Sequence, residues 1–335
     1  MTVQITMLEA ERMIKACYAI NEPLFLMGSP GSGKSALFES VATALGIGFI
    51  DFRFTMRDPV DIGGMRIPDL TTGFMRHFVP DDLPNVKKHG KAGLFVCDEI
   101  NAVSAMMQAA GYGLIQERRS GSYKMPDGWV PMASGNNVGD RASAQRLSTA
   151  LANRFNVQHV KSDVVSWLEQ FGFANVHPYG VAFLKHRPEL FSVMPTADQT
   201  AFPSARSWTK SFKAIDNDPT FRHKLFAGWV GDDAAGEFEA FMRIMQSVIS
   251  FEEILADPKT ARIPEGREAG LYYAVAGMVA RLVDRKNFDR AMEYVGRLLP
   301  DYQVMIIKSA TRREAGLKNT KAYGSWACAH QDVTL

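Results

Sequence analysis

The stretch LFLMGSPGSGKSALFES, residues 24–40, sets three glycines beside a lysine and a serine where an apolar run gives way to a helical pattern. Gly28, Gly33, Lys34 and Ser35 stand at the spacing G-x-x-x-x-G-K-[ST]. Glycines at such a bend let backbone N–H groups turn inward and approach phosphate oxygens, and the helix that follows offers its positive N-terminal end to the anion. Gly28, Ser29, Pro30, Gly31, Ser32, Gly33, Lys34, Ser35 and Ala36 are therefore the candidate phosphate cradle. Lys34 would reach the β- and γ-phosphates and the Ser35 hydroxyl would coordinate Mg²⁺, so ATP and Mg²⁺ are the expected ligands. A glycine turn that happens to end in Lys-Ser is the bland alternative. The strand pattern before it and the helix pattern after it argue against that.

A second feature closes GLFVCDEI, residues 93–100. Adjacent carboxylates after an apolar run are costly unless something uses them, and strand ends are where an α/β sheet places its ligand crevice. Asp98 is expected to hold Mg²⁺, directly or through water, and Glu99 to polarise the attacking water. Solvated acids capping a strand would look the same in isolation; the upstream glycine loop favours chemistry.

The elements that position these residues alternate through the first half. A helical pattern over 7–20 precedes a strand at 23–27, and helix 34–45 follows the loop. Strand 48–54 leads into a Gly-, Pro- and Asp-rich stretch reaching 84. Strand 93–100 feeds a helix over 103–116, and strands ending at 137 and following 153 complete the set. This alternation predicts an α/β, αβα sandwich around a parallel sheet. After about residue 161 apolar residues recur at helical spacing only, so 162–335 reads as an all-helical domain.

The 335 residues carry a formal net charge of +2, 46% hydrophobic and 22% charged residues. That composition fits a globular protein and disfavours nucleic-acid binding by bulk electrostatics, though a local basic patch stays open. Cys17, Cys97 and Cys328 show no metal-ligand spacing, and the first residues, MTVQITMLEAER, lack a basic-then-apolar leader. The longest uncharged apolar stretch, near 270–280, is too short to span a bilayer. The expectation is a cytoplasmic protein. No H-E-x-x-H or G-x-S-x-G pattern points to zinc or a serine nucleophile.

The order of GSPGSGKS, VCDEI, ASGNN, LANRF and, in the second half, FPSARSW resembles the AAA+ ATPases, and more narrowly their MoxR branch. The resemblance implies residues 1–161 as the nucleotide-binding core, and 162–335 as a helical lid with a C-terminal helical extension. It makes Asn136 the first sensor, between Glu99 and the γ-phosphate, with Asn137 the neighbouring candidate. An amide can accept from water and donate to a phosphate oxygen, which suits the task. Arg154 takes the arginine-finger position, with Arg141 and Arg146 near enough to share it. Arg206 takes the second-sensor position, although the family more often has Pro where Ala205 stands. The finger is supplied by a neighbouring subunit, so the resemblance implies a homo-oligomeric ring, commonly a hexamer.

Two inserts match the MoxR branch: a helix-2 insert at about 55–84 and a hairpin before the first sensor at about 117–132. Such loops touch the substrate in that family. Arg118, Arg119, Tyr123, Lys124 and Trp129 are candidates for a gripping surface, against the alternative of a solvated hairpin. The resemblance points to a motor that remodels or activates a client protein, with a separate von Willebrand A-domain partner where one is used. A nucleic-acid-translocating ATPase of the McrB kind, a monomeric phosphate-loop kinase for a small metabolite, and a nucleotide switch without useful hydrolysis are the competing readings.

Overall fold

The computed structural model describes residues 3–140, 144–196, 199–247, 249–264 and 269–330. The chain divides into two compact units, Met1–Ser162 and Asp163–Leu335.

The first unit holds β1 (Gln4–Ile5), α1 (Met7–Ala19), β2 (Leu24–Gly28), α2 (Lys34–Leu45), β3 (Gly48–Arg53), α3 (Pro59–Gly63), β4 (Met65–Asp69), β5 (Phe74–Phe78), α4 (Val86–His89), β6 (Ala92–Asp98), α5 (Ala105–Tyr112), β7 (Arg119–Ser120), β8 (Tyr123–Lys124), β9 (Gly128–Gly135), α6 (Thr149–Ala152) and β10 (Asn156–Val160). Six strands form one sheet in the order β1-β10-β2-β9-β6-β3, and every neighbouring pair is parallel. The expected α/β class with a parallel sheet is what the chain adopts. The nearly continuous apolar runs are explained by the pleat, since alternate residues serve opposite faces. Leu24, Leu26, Leu94, Val96, Val130 and Met132 pack with Ala10, Ile14, Leu37 and Phe38 of α1 and α2. Phe25, Phe95, Cys97 and Ala133 pack on the other face with Met107 and Leu151.

Edge strand β1 escapes the sequence pattern because it is two residues long. The helix expected over 103–116 is α-helical only to Tyr112; a π-helical turn, Gly113–Glu117, then ends in left-handed Arg118 with φ 54°. The Gly-rich stretch after β3 contains α3 and the antiparallel β4–β5 hairpin, and β7–β8 forms a second hairpin.

The second unit holds α7 (Val164–Trp167), α8 (Phe173–Asn175), α9 (Pro178–His186), α10 (Ala205–Ser211), α11 (Pro219–Val230), α12 (Asp232–Ser247), α13 (Phe251–Ala256), α14 (Ala269–Leu282), α15 (Phe288–Val295), α16 (Pro300–Arg313) and α17 (Lys321–Ala329). No strand occurs among its described residues. Phe183, Trp208, Phe212, Phe226 and Phe238 stack into its centre. A buried two-pronged pair joins α11 to α12: Arg222 Nε and Nη2 donate to Glu239 Oε1 and Oε2 at 2.7 and 2.8 Å, and Arg222 Nη1 donates to Ile215 O at 2.9 Å. The pair satisfies charges that could not otherwise be buried. No described helix is long and apolar enough to cross a membrane.

Candidate functional site

β2 delivers the glycine loop to the C-terminal edge of the sheet, and α2 begins at Lys34. Gly31 and Gly33 sit at φ 72° and 99°, backbone that side-chain-bearing residues rarely adopt. A Cβ on Gly28 would stand 2.7 Å from the carbonyl oxygen of Val160 on β10, so glycine there lets the neighbouring strand close in. The Lys34 side chain folds back into the loop and its ammonium donates to Gly28 O at 2.8 Å, Ser29 O at 3.0 Å and Ser32 Oγ at 3.3 Å. Lys34 is thereby buried, at 6% exposure.

β6 lies two strands away and ends at the same edge. Asp98 is buried, and its Oδ2 accepts from Ser35 Oγ at 2.9 Å. Its Oδ1 accepts from the Ser134 hydroxyl of β9 and from the Glu99 backbone N–H at 3.1 Å. Ser35 and Asp98, 63 residues apart, thus meet as two hard oxygen donors beside the cradle. That donor set fits Mg²⁺.

Glu99 has φ 57°, a left-handed conformation uncommon outside glycine, which turns its side chain away from the direction the strand would give it. Thr55, just after β3, donates from Oγ1 to Glu99 Oε2 at 2.6 Å. Asp51 on β3 lies near both acids. Burial pushes its carboxyl above the usual range, Arg53 at 3.0 Å opposes this, and the charges of Asp98 and Glu99 add to it. Asp51 Oδ1 is buried without a hydrogen-bond partner among the described residues.

Asn136 follows the last residue of β9 and is half-buried. Its backbone is clamped by fully buried Asn101, which donates from Nδ2 to Asn136 O at 2.7 Å and accepts from Asn136 N at 3.1 Å. Asn101 O also accepts from Gln145 N at 2.7 Å. The Asn137 amide donates to Asp140 Oδ2 at 2.8 Å.

Arg154 lies at the opposite edge. It precedes β10, whose first residue pairs with Leu24 and whose last pairs with Gly28. The five residues of β10, at about 3.3 Å each, put roughly 15 Å of strand between Arg154 and the level of the cradle. The Arg154 guanidinium donates to Gln116 Oε1 and Ala150 O, and lies 5.1 Å from the Tyr112 ring centroid. Arg146 is exposed on the loop before α6, and Arg141 falls outside the described residues. In the second unit, Arg206 is exposed in the first turn of α10, whose N-terminus Ser204 caps.

Three of the suggested gripping residues are committed elsewhere, among them half-buried Tyr123, whose hydroxyl donates to Pro84 O at 2.8 Å. Trp129 is fully buried, its ring lying against Gly48 and Gly93 and its Nε1–H donating to Gly90 O at 3.0 Å. Arg118 donates from Nη1 and Nη2 to Asn21 Oδ1 and Asn21 O, each at 2.6 Å, away from the hairpin tip. Arg119 and Lys124 are exposed. Thr55, Asn101 and Ser134 are the site residues that sequence reasoning missed. Each is an ordinary polar residue whose only mark is a partner at least 35 positions away.

No protein-family model matches the chain, and no curated protein matches it. Among solved structures, it is similar to a protein of Cytophaga hutchinsonii provisionally named an ATPase, at 17% identity and a TM-score of 0.36, over 97% of this chain and 89% of that one. A likeness of that size carries no argument about activity.

Proposed function

We propose that the chain is an Mg²⁺-dependent ATPase of the AAA+ type, MoxR-like, acting as a ring that remodels or activates a client protein. The observation that supports this most directly is the 2.9 Å bond between Ser35 and Asp98, which joins the glycine loop to the strand-end acids at one sheet edge. A loop with Lys34, a Ser–Asp oxygen pair and an oriented second carboxylate is a set of groups suited to phosphoryl transfer to water.

The glycine-loop amides and Lys34 bind the β- and γ-phosphates, with Lys34 exchanging its loop carbonyl partners for phosphate oxygens. Ser35 and Asp98 would hold Mg²⁺, which would supply positive charge to stabilise phosphoryl transfer. Glu99, steadied by Thr55, accepts hydrogen bonding from the attacking water. Asn136, its backbone fixed by Asn101, orients the water against the γ-phosphoryl group. Arg154 is too far along β10 to serve its own cradle and acts on a neighbouring copy's nucleotide, which requires an oligomer.

The test is ATP turnover and nucleotide binding in two variants. Lys34→Ala is expected to lose both. Glu99→Gln is expected to bind ATP within about threefold of wild type while turnover falls by about 10²-fold or more. Wild-type turnover in Glu99→Gln would contradict the assignment.

A further inference from the structure

A polar cavity of about 550 Å³ opens at the edge of the sheet opposite the glycine loop, and Arg118 and Arg154 both line it. Asn21, Glu22, Gln116 and Asn153 complete most of its wall. Its size is ordinary for a small-ligand site. It lies wholly within the first unit, and none of the phosphate-binding residues contributes to it.

Three features set Arg118 apart. First, its backbone is left-handed at the end of the π-helical turn. Glycine is the residue that such a position favours; an arginine there carries the kind of local strain that accumulates at functional sites. Second, the π-helical turn places Gln116 and Arg118 on the same cavity, and Gln116 bonds Arg154. One turn therefore positions both guanidinium groups. Third, both cations are held by neutral oxygens: Arg118 by Asn21, Arg154 by Gln116 and Ala150. Among the described residues, neither forms an ion pair with a carboxylate, whereas Arg187, Arg222 and Arg312 do. Two guanidinium groups against one carboxylate, Glu22, leave the cavity wall net positive, which suits a phosphoryl anion that arginine's planar fork matches.

We infer that Arg118 is a second cationic residue acting beside Arg154 on the terminal phosphates of a nucleotide presented by a neighbouring copy of this chain. The inference rests on the ring reading above and extends it. Asn21 is the positioning residue that aims Arg118, and Gln116 the one that aims Arg154.

The experiment is subunit mixing, read as ATP turnover at saturating protein concentration. Arg118→Gln keeps a hydrogen-bond donor toward Asn21 and removes the charge. Alone, it is expected to lose about tenfold or more in turnover. Mixed in equal amounts with Lys34→Ala, it should regain roughly a quarter of the wild-type rate, the chance that an intact loop meets an intact neighbour in a head-to-tail assembly. Arg154→Ala mixed with Lys34→Ala runs in parallel. Arg118→Lys, which keeps the charge but not the two-pronged grip, should fall between wild type and Arg118→Gln in turnover.

Full turnover in Arg118→Gln overturns the inference, as does a deficit that mixing leaves in place while that of Arg154→Ala is restored; the ring reading then stands without Arg118. An Arg118→Lys protein as impaired as Arg118→Gln assigns the residue to holding Asn21 and overturns it too. If neither mixture recovers, the ring reading fails and takes the inference with it. Saturable pyrophosphate binding by chains too dilute to assemble, lost in Arg118→Gln, would place the anion in solution and overturn the neighbouring copy as its source.

Discussion

Glu99 is held in place by a residue that no motif would single out. Thr55 donates to it from 44 positions away, and the left-handed turn at Glu99 brings that carboxylate within reach of the end of β3. A base that must meet water in one orientation depends on such a support. Thr55→Val, nearly the same shape without the donor, is expected to lower kcat about tenfold while KM for ATP stays within about twofold. Steady-state kinetics check this, and an unchanged kcat would remove Thr55 from the site. The glycine loop and Asp98-Glu99 are legible in sequence because their chemistry depends on close spacing and on an apolar strand directly before it. Thr55, Asn101 and Ser134 are not, since their partners are brought near only by the sheet order β9-β6-β3.

At the scale of elements, the β4–β5 and β7–β8 hairpins are tied together. His77 on β5 donates from Nε2 to Gly63 O, and its Nδ1 accepts from the Ser122 backbone N–H at 3.2 Å. Ser120 Oγ adds a bond to Ile62 O at 2.8 Å. His77→Ala is expected to leave global stability within about 1 kcal/mol while amide exchange speeds up in both hairpins together. Exchange that rises in one hairpin alone would show that they are independent. Hairpin β4–β5 exposes Met65, Leu70, Phe74, Met75 and Phe78. Both hairpins lie within the stretches the resemblance assigns to inserts, but their junction was not legible, because a lone histidine in a loop-rich stretch carries no spacing signal. The same limit hid the burial of Trp129, which only β3 and β6 create by bringing Gly48 and Gly93 against its ring.

At the scale of the whole molecule, one contribution to the pH dependence of stability lies in the helical unit. His177 caps α9, its Nδ1 accepting from Tyr179 N at 3.1 Å while Nε2 is buried without a hydrogen-bond partner among the described residues. Burial of the ring, with Arg281 adding to it and Asp216 opposing, pushes its pKa down to about 4. The unfolded chain takes up that proton near pH 6.5 and the folded one near 4, so this residue is neutral to stability above pH 6.5 and subtracts from it as pH falls between the two. His177→Asn, which preserves the cap, should flatten the fall in Tm over that window. An identical pH profile in the variant would contradict the assignment. The all-helical character of this unit was legible from periodicity alone, whereas its buried cap was not, since the tertiary surroundings of His177 decide its ionisation.

In the proposed ring, each active site is completed between copies of the chain. Arg154 and Arg118 stand at one edge of the sheet, and Lys34, Asp98 and Glu99 at the other. The direct measurement is ATP hydrolysis per chain across protein concentration, with Mg²⁺ and no added client. Specific activity that climbs with concentration and then saturates is the predicted result. A flat, nonzero activity would contradict the account, since each chain would then hold a whole site of its own, as a monomeric kinase does.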